Sequence, residues 1–186
     1  SRFLIGLMQL RPDVKPVMGS LPVEQSTMYK DEEERQRMRE ASLINDECMD
    51  MVIHAIREGV TEKELALKVE NFFKARGCNS LGFSIVGMGK NGADPHHDAD
   101  ETVLKEGDSI VIDIGAPFNH YWCDMTRTVF YKSVSEKQRE VYETVRHANE
   151  AAIAKIKPGV AFKEFDLAAR KVIEDAGYGE YFTHRT

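Results

Sequence analysis

Two aspartates flank a short turn near the middle of the chain, and their spacing could place two carboxylates side by side. Asp113 lies in an apolar run, and Asp124 follows after a turn that contains Phe118 and Asn119. If the turn centres on these two residues, the aspartates are directly opposed on antiparallel strands, with Cβ atoms about 4.5–5.5 Å apart. Like charges at that distance repel, and an unpaired carboxylate in an apolar run is costly. A raised pKa, a basic partner or a bound cation would relieve the conflict.

The residues alone leave two interpretations of this acid pair open. Carboxylate oxygens at this spacing suit a divalent metal ion, or two metal ions bridged by one acid. Alternatively, one aspartate faces solvent or pairs with Arg127, and the hairpin binds no metal. Two acids on a hairpin therefore favour a metal site without establishing one.

A glycine-containing loop delivers two adjacent histidines shortly before the first aspartate. It runs from Gly87 to His97 and contains Pro95, His96 and His97 in succession. An imidazole there could bind substrate or stabilise charge that develops during a reaction, whereas ordinary surface placement is the alternative. The loop lacks the GxxxxGK pattern followed by Ser or Thr, so it is not a phosphate-binding loop.

Helices and short strands are predicted around these residues. Apolar residues at helical spacing predict helices at 30–58, 61–77, 135–157 and 162–176. Short apolar runs predict strands at 81–86, 102–104, 109–114 and 121–131. Residues 1–28 contain three prolines and are expected to be extended and irregular.

The chain partly overlays on itself when it is shifted by one hundred residues. Residues 56–60 resemble residues 156–160, and Gly77 matches Gly177. A chance match between two helix-break-helix patterns is the alternative. If the repeat is real, the strands that follow Gly77 in the first copy have no counterpart before Thr186, and the chain is expected to be incomplete.

The composition argues against several classes of protein. The 186 residues suit one domain, and the formal net charge of −6 is unlike that of a nucleic-acid binder. Cys48, Cys78 and Cys123 lack CxxC spacing, so free thiols in a reducing compartment are expected rather than disulfides or structural zinc. No apolar run reaches the length that crosses a bilayer, and residues 1–10 lack a cleavage signature. A cytoplasmic protein without a membrane partner is the expectation.

The motifs resemble those of the pita-bread metallopeptidases, the group that contains methionine aminopeptidase, aminopeptidase P and Xaa-Pro dipeptidase. The most specific are residues 113–115, Asp-Ile-Gly, and residues 121–128. Residues 87–96 and the Asp-Met-Thr-Arg-Thr form of the hairpin are more similar to the proline-specific enzymes than to methionine aminopeptidase. The resemblance implies an α+β pita-bread fold, present here as the first half and the start of a pseudo-duplicated second half.

The same resemblance implies domains and site residues. Residues 1–28 would be the tail of an N-terminal domain or a linker, and residues 29–186 a partial catalytic domain. Asp113 and Asp124 would be ligands of two divalent ions (Mn, Co or Zn, with Mn favoured by oxygen-rich ligation), and His96 would bind substrate.

The family also uses further ligands that the resemblance places beyond this chain. One more histidine and two glutamates would complete the set, and one of these glutamates would serve as the general base. His184 would be a neighbour of the site and not a ligand, and His96 rather than His97 would contact substrate.

The implied function is removal of an N-terminal residue through metal-activated water. We expect the parent protein to be an Xaa-Pro aminopeptidase or Xaa-Pro dipeptidase that acts on a peptide or dipeptide, with a homodimer as an admissible assembly. The 186 residues alone are expected to be inactive. A non-catalytic binding module on the same fold and a metal-free hydrolase resembling creatinase are the alternatives. Retention of both Asp113 and Asp124 argues against them.

Overall fold

Helices surround a small antiparallel sheet in the computed structural model, which describes residues 1–78 and 82–185. The helices of these residues are α1 (Arg2–Leu10), α2 (Ser20–Met28), α3 (Glu32–His54), α4 (Glu62–Ala75), α5 (Glu136–Ile153) and α6 (Lys163–Asp175). The strands are β1 (Phe83–Met88), β2 (Ser109–Gly115), β3 (Pro117–Phe118), β4 (Tyr121–Trp122) and β5 (Met125–Phe130). Short 3-10 turns cover Gly89–Ala93 and Gly179–Tyr181. Leu81, where the first predicted strand begins, lies outside the described residues.

The prediction that residues 1–28 are extended is wrong, because α1 and α2 lie within them. Ser1 caps α1 by accepting the Leu4 N–H at 3.3 Å. Pro22 lies in the first turn of α2, where a backbone N–H has no partner inside the helix and proline is tolerated. Neither helix buries a residue. The assignment of this segment to an N-terminal domain or a linker stays a prediction.

The hairpin that carries the two aspartates has a different register from the predicted one. Phe118 pairs with Tyr121, so the turn centres on Asn119 and His120, whose φ angles are 46° and 70°. A two-residue hairpin turn of this type requires positive φ at both central positions, which asparagine tolerates and phenylalanine does not. The predicted register, with Asp113 opposite Asp124, is therefore wrong by two residues.

Asp113 instead lies opposite Thr126 in a three-stranded antiparallel sheet of order β1-β2-β5. The single strand predicted at 121–131 is divided into β4 and β5, with Cys123 and Asp124 between them. A slip of two residues leaves every side chain on its original face, since side chains alternate with a period of two. Asp113 and Asp124 are therefore not directly opposed, and their assignment as metal ligands stays a prediction.

The strand predicted at 102–104 is also wrong. This segment forms one isolated β-bridge, between Val103 and Thr61, and is not part of a longer strand. Leu104 is buried in the core, and its N–H donates to the Val60 carbonyl at 2.9 Å. Core packing rather than sheet formation explains the apolar run.

The core lies between the helix pair α3–α4 and one face of the sheet. Ile110, Ile112 and Ile114 alternate along β2 and are fully buried in the same cluster as residues of α3 and α4. Because side chains alternate along a strand, Val111 and Asp113 point to the other face, where they are half-buried. The fold thus presents Asp113 on the sheet face that the helix pair leaves open.

The second helix pair, α5–α6, repeats the backbone of the first at a shift of one hundred residues. Gly77 and Gly177 have φ angles of 77° and 83° and donate to Lys74 and Glu174 at 3.1 and 2.9 Å. Val60 and Val160 also make equivalent hydrogen bonds, each at 3.2 Å. The predicted internal repeat is therefore a structural one. Among the described helices, none combines the length and apolar character needed to cross a membrane.

Candidate metal centre

Asp113 is a half-buried acid in the middle of the sheet. The Thr126 hydroxyl on β5 donates to Asp113 Oδ1 at 2.8 Å. Burial raises the pKa of Asp113, the Thr126 hydrogen bond opposes that rise, the negative charge of Asp124 adds to it, and His96 lowers it. Asp124 and His96 therefore each lie within electrostatic range of Asp113.

Asp124 is exposed at the interruption between β4 and β5. The preceding residue fixes this interruption, because Cys123 donates both its N–H, at 3.3 Å, and its Sγ–H, at 3.1 Å, to the Ala116 carbonyl. A Cβ on Gly115 would lie 2.4 Å from the Cys123 carbonyl oxygen, so only glycine allows this approach. Exposure of Asp124 is what the metal-free alternative expects in the first of its two forms, in which one acid faces solvent.

The other part of that alternative, an Arg127–aspartate pair, does not form. Arg127 Nη1 donates to the Thr126 carbonyl at 2.8 Å. Within residues 1–78 and 82–185, neither Asp113 nor Asp124 pairs with a lysine or arginine. Two neighbouring carboxylates without a protein cation fit a divalent metal ion, which prefers oxygen ligands and would offset their charge.

The two adjacent histidines have different surroundings. The His96 ring is exposed, and the backbone N–H of His96 donates to Asp94 Oδ1 at 3.0 Å. His97 is largely buried, and its Nε2 lies 2.6 Å from Glu62 Oε2. The hydrogen bond to Glu62 raises the pKa of His97 and burial opposes that rise. His96 is thus the histidine whose ring is open to a ligand.

A cleft of about 370 Å³ opens beside Asp113. Ile85, Asp113 and Thr126 form its sheet side, and Phe182 and His184 form the opposite side. His184 and Asp113 therefore line the same cleft, and the role of His184 as a neighbour of the site stays a prediction. A second cavity of about 630 Å³ is lined by both His96 and His97, and Ile85 lines both spaces.

Arg170 on α6 holds the segment that closes the far side of this cleft. Its Nη1 donates to the Phe182 carbonyl at 2.9 Å, and its Nη2 donates to the His184 carbonyl at 3.2 Å. The guanidinium also pairs with Asp166 one helical turn earlier at 3.0 Å. The second helix pair therefore contributes to the cleft through the Arg170 side chain, which binds backbone carbonyls of the segment that lines it.

Three supporting residues were not singled out from the sequence. Thr126 holds Asp113, and the buried Asn45 on α3 donates its Nδ2 to the Ile114 carbonyl at 3.2 Å. A polar residue on the apolar stripe of a helix is a signal that could have revealed Asn45. Glu62 gave no such signal, because a glutamate in the first turn of a helix is ordinarily exposed.

Glu62, His97 and Asp100 form a further acidic cluster. Potential ligand atoms from these residues lie within 4.8 Å of one another, a spacing that could hold a metal ion. The Glu62 carboxylate, however, already accepts the Met88 N–H at 2.6 Å and the Asn91 Nδ2–H at 3.0 Å. Because N–H donors already occupy this carboxylate, we interpret the cluster as a hydrogen-bond network.

Comparison with known proteins assigns the family. The sequence profile of Metallopeptidase family M24 matches residues 36–186. The Xaa-Pro dipeptidase of Pyrococcus furiosus is 41% identical over 158 residues, which are 84% of this chain and 45% of that protein. The chain belongs to metallopeptidase family M24.

Solved structures of M24 relatives confirm the predicted fold. The prolidase of Pyrococcus horikoshii matches 100% of this chain and 54% of its own, at 35% identity and a TM-score of 0.92. The X-Pro aminopeptidase of Thermotoga maritima matches 95% of this chain and 51% of its own, at 35% identity and a TM-score of 0.84. The α+β pita-bread fold and the likeness to proline-specific members are both confirmed. The chain spans about half the length of the curated relatives it matches.

Proposed function

We propose that the protein to which this chain belongs is a dinuclear metal-dependent exopeptidase, an Xaa-Pro aminopeptidase or Xaa-Pro dipeptidase. The observation that carries the proposal is the pair Asp113 and Asp124. These carboxylates are close enough for the charge of Asp124 to raise the pKa of Asp113, after the larger effect of burial. Among the described residues no lysine or arginine pairs with either acid. In a metallopeptidase family, such a pair is suited to bind divalent ions.

Asp113 and Asp124 would hold the metal ions through carboxylate oxygens, a ligand type that favours manganese over softer metals. When bound, divalent ions lower the pKa of water enough for it to attack a peptide carbonyl at neutral pH. Thr126 would orient Asp113, because its hydroxyl occupies Oδ1 and leaves the other carboxylate oxygen for ligation. Asn45 would support the same strand by bonding the adjacent Ile114 carbonyl.

We assign substrate binding to His96. Its exposed ring lies in electrostatic range of Asp113, whereas the ring of His97 is occupied by Glu62. An imidazole beside the acid pair can donate a hydrogen bond to the carbonyl oxygen under attack, where negative charge develops. This contact would be stronger in the transition state than in the bound substrate.

The substrate class is proposed from the relatives, whose names specify Xaa-Pro dipeptides or X-Pro peptides. The remaining ligands of the family, one histidine and two glutamates, would come from the rest of the domain, so we expect these 186 residues alone to be inactive. A homodimer remains a proposal, as does a cytoplasmic location. The free thiols of Cys48, Cys78 and Cys123 suit a reducing compartment.

Hydrolysis by the complete enzyme tests this function. A Xaa-Pro dipeptide and a Xaa-Pro tripeptide would be assayed in parallel with added Mn²⁺, so that the preferred length separates dipeptidase from aminopeptidase. We expect Asp113→Asn to lower kcat/KM by more than about 100-fold, because loss of a ligand exceeds the roughly 10–100-fold cost of losing a residue that merely supports one. Asp46→Asn, an exposed acid on α3, is the matched control and should change kcat/KM less than about 2-fold.

Three results would contradict the proposal in different ways. A correctly folded complete protein that binds Mn²⁺ but hydrolyses neither peptide would indicate a binding module. Full activity after removal of all metal would indicate a metal-free hydrolase. Xaa-Pro hydrolysis by the 186 residues alone would show that the ligands outside them are dispensable.

A further inference from the structure

Glu62 is a fully buried carboxylate outside the acid pair, and it accepts four hydrogen bonds. Its Oε1 accepts from the Met88 N–H at 2.6 Å and from Asn91 Nδ2 at 3.0 Å. Its Oε2 lies 2.6 Å from His97 Nε2 and accepts the Asp100 N–H at 3.2 Å. Its exposed fraction is 0%. We call these five residues the Glu62 network.

The first turn of α4 holds Glu62 in place. Thr61 caps the helix by accepting the Glu64 N–H at 3.1 Å. The Glu62 N–H donates to the Thr102 carbonyl at 3.2 Å, and the Lys63 N–H donates to the Asp100 carbonyl at 3.0 Å. The carboxylate therefore projects from a rigid element that is itself bonded to the end of the histidine loop.

The four partners of Glu62 are spread along one segment, residues 88–100. Met88 ends β1, Asn91 lies in the following 3-10 turn, and His97 and Asp100 come after the turn that presents His96. One carboxylate thus bonds both ends and the middle of the loop. A buried carboxylate is costly unless its oxygens are hydrogen-bonded, and here the loop supplies the donors.

We propose that Glu62 is a positioning residue that, through His97, fixes the loop so that the exposed His96 ring is presented to the cavity of about 630 Å³ that it lines. The inference rests on the proposed function, since His96 is the residue proposed to bind substrate. His97 is the link, because its ring is bonded to Glu62 and its backbone is joined directly to His96. The two histidines then have separate tasks, with His97 holding the loop and His96 contacting the ligand.

A double-mutant cycle in the complete enzyme tests the positioning role. We expect His97→Gln to lower kcat/KM for a Xaa-Pro dipeptide about 10-fold or more, in the range seen for residues that orient active groups. In a His96→Ala background the same replacement should change kcat/KM less than about 2-fold, because the loop then has no side chain to position. Glu64→Gln, an exposed acid on the same helix, is the matched control.

A structural readout separates failure of this inference from failure of the proposed function. The ring ¹H–¹³C NMR signal of His96 and the hydrogen exchange of residues 88–100 would be measured in the complete protein, without any assay of hydrolysis. We expect His97→Gln and Glu62→Gln to shift the His96 signal and speed exchange in this segment, and Glu64→Gln to do neither. Should Glu62→Gln fail to fold, His97→Gln still provides the test, since it leaves three donors on Glu62.

Two outcomes would overturn the positioning role. The first is an unchanged His96 ring signal in His97→Gln, which would show that the network does not reach His96. The second is a loss of kcat/KM that is fully additive with His96→Ala, which would show that His97 acts by another route. Absence of hydrolysis by the complete wild-type enzyme would contradict the proposed function and leave the NMR test intact.

Discussion

The two helix pairs have similar backbone conformations and differ in what they pack against. The pair α3–α4 covers the sheet, and Leu65 and Val69 on α4 are fully buried. The pair α5–α6 has equivalent glycine stops, yet its buried cluster consists of Ala148, Ala152, Ala169 and Ile173. Val145 on α5 is 54% exposed, whereas Asn45 at the equivalent position of α3 is 1% exposed. Within the described residues, only the first pair packs against a sheet, so equivalent positions of the two pairs differ in burial here.

The chemistry follows the same division. Glu62 and Phe162 are equivalent at a shift of one hundred residues, but Glu62 is 0% exposed and organises the histidine loop, whereas Phe162 is 85% exposed. The difference shows that residue 62 owes its role to the sheet and loop that pack against α4. The sheet and loop that pack against a helix pair therefore determine which of its side chains are buried and hydrogen-bonded.

Core substitutions should separate the two pairs most strongly. We expect Leu65→Ala to lower the free energy of unfolding by about 2–5 kcal/mol, because the residue is fully buried and its removal leaves a cavity. Leu67→Ala and Leu167→Ala are matched controls, since both leucines are 52% exposed at equivalent positions, and each should cost no more than about 0.5 kcal/mol. Urea unfolding would measure all three. A loss for Leu65→Ala no larger than that of the two controls would mean that Leu65 does not belong to a tightly packed core.

Helix capping gives a smaller contrast. Thr61 caps α4 with its side chain, whereas the equivalent residue of the second pair is Ala161 and α6 has no side-chain cap. We expect Thr61→Ala to cost about 1 kcal/mol, and the reciprocal Ala161→Thr to change stability by only a few tenths of that. Thermal unfolding of both variants would check the asymmetry. A Thr61→Ala variant as stable as wild type would show that the cap is redundant.

We expect the smallest effect from the contact between His97 and Glu62 on α4, which should make the free energy of unfolding depend on pH. The pKa of His97 is raised, chiefly by the hydrogen bond to Glu62. Its stabilising contribution is therefore fully present below the unfolded histidine pKa of about 6.5 and is lost as the pH rises through the higher folded value. The stability difference between wild type and His97→Gln should shrink as the pH is raised from about 6 towards 9.

An exposed histidine provides the control for replacing histidine by glutamine. The side chain of His54, at the end of α3, is 75% exposed, and His54→Gln should change the free energy of unfolding by no more than about 0.5 kcal/mol. Urea unfolding at a series of pH values would measure both variants. A His97→Gln difference that grows with pH would reverse the expected sign and exclude a favourable charged pair.

Much of the local structure was predictable from the sequence. Helical spacing and end signals located α3 to α6, and Ser135 with Gln138 forms the predicted capping box at the start of α5. These predictions succeed because caps and glycine stops act between residues three to five apart. The errors at residues 1–28 and 102–104 arose where prolines and a buried leucine were taken as signals of extended structure.

The site was predictable in its residue types and less so in its geometry. The resemblance predicted Asp113, Asp124 and His96, and in the structure Asp124 and His96 each lie within electrostatic range of Asp113. Their roles stay proposals. Register was the difficult part, because a shift of two residues keeps the same faces and leaves the hydrophobic pattern unchanged. The turn residues Asn119 and His120 decided it through their positive φ angles.

By itself the sequence determined the family motifs, the helix ends and the hundred-residue repeat, since these depend on residue type and on neighbours a few positions away. Only the tertiary structure decided that Asp113 accepts a hydrogen bond from Thr126, that the His97 ring is hydrogen-bonded to Glu62 while His96 is exposed, and that Glu62 is buried. Those outcomes depend on contacts between residues that are distant in the sequence: Thr126 lies 13 positions from Asp113, and His97 lies 35 positions from Glu62. Local periodicity carries no information about which distant donor forms a hydrogen bond with a given carboxylate.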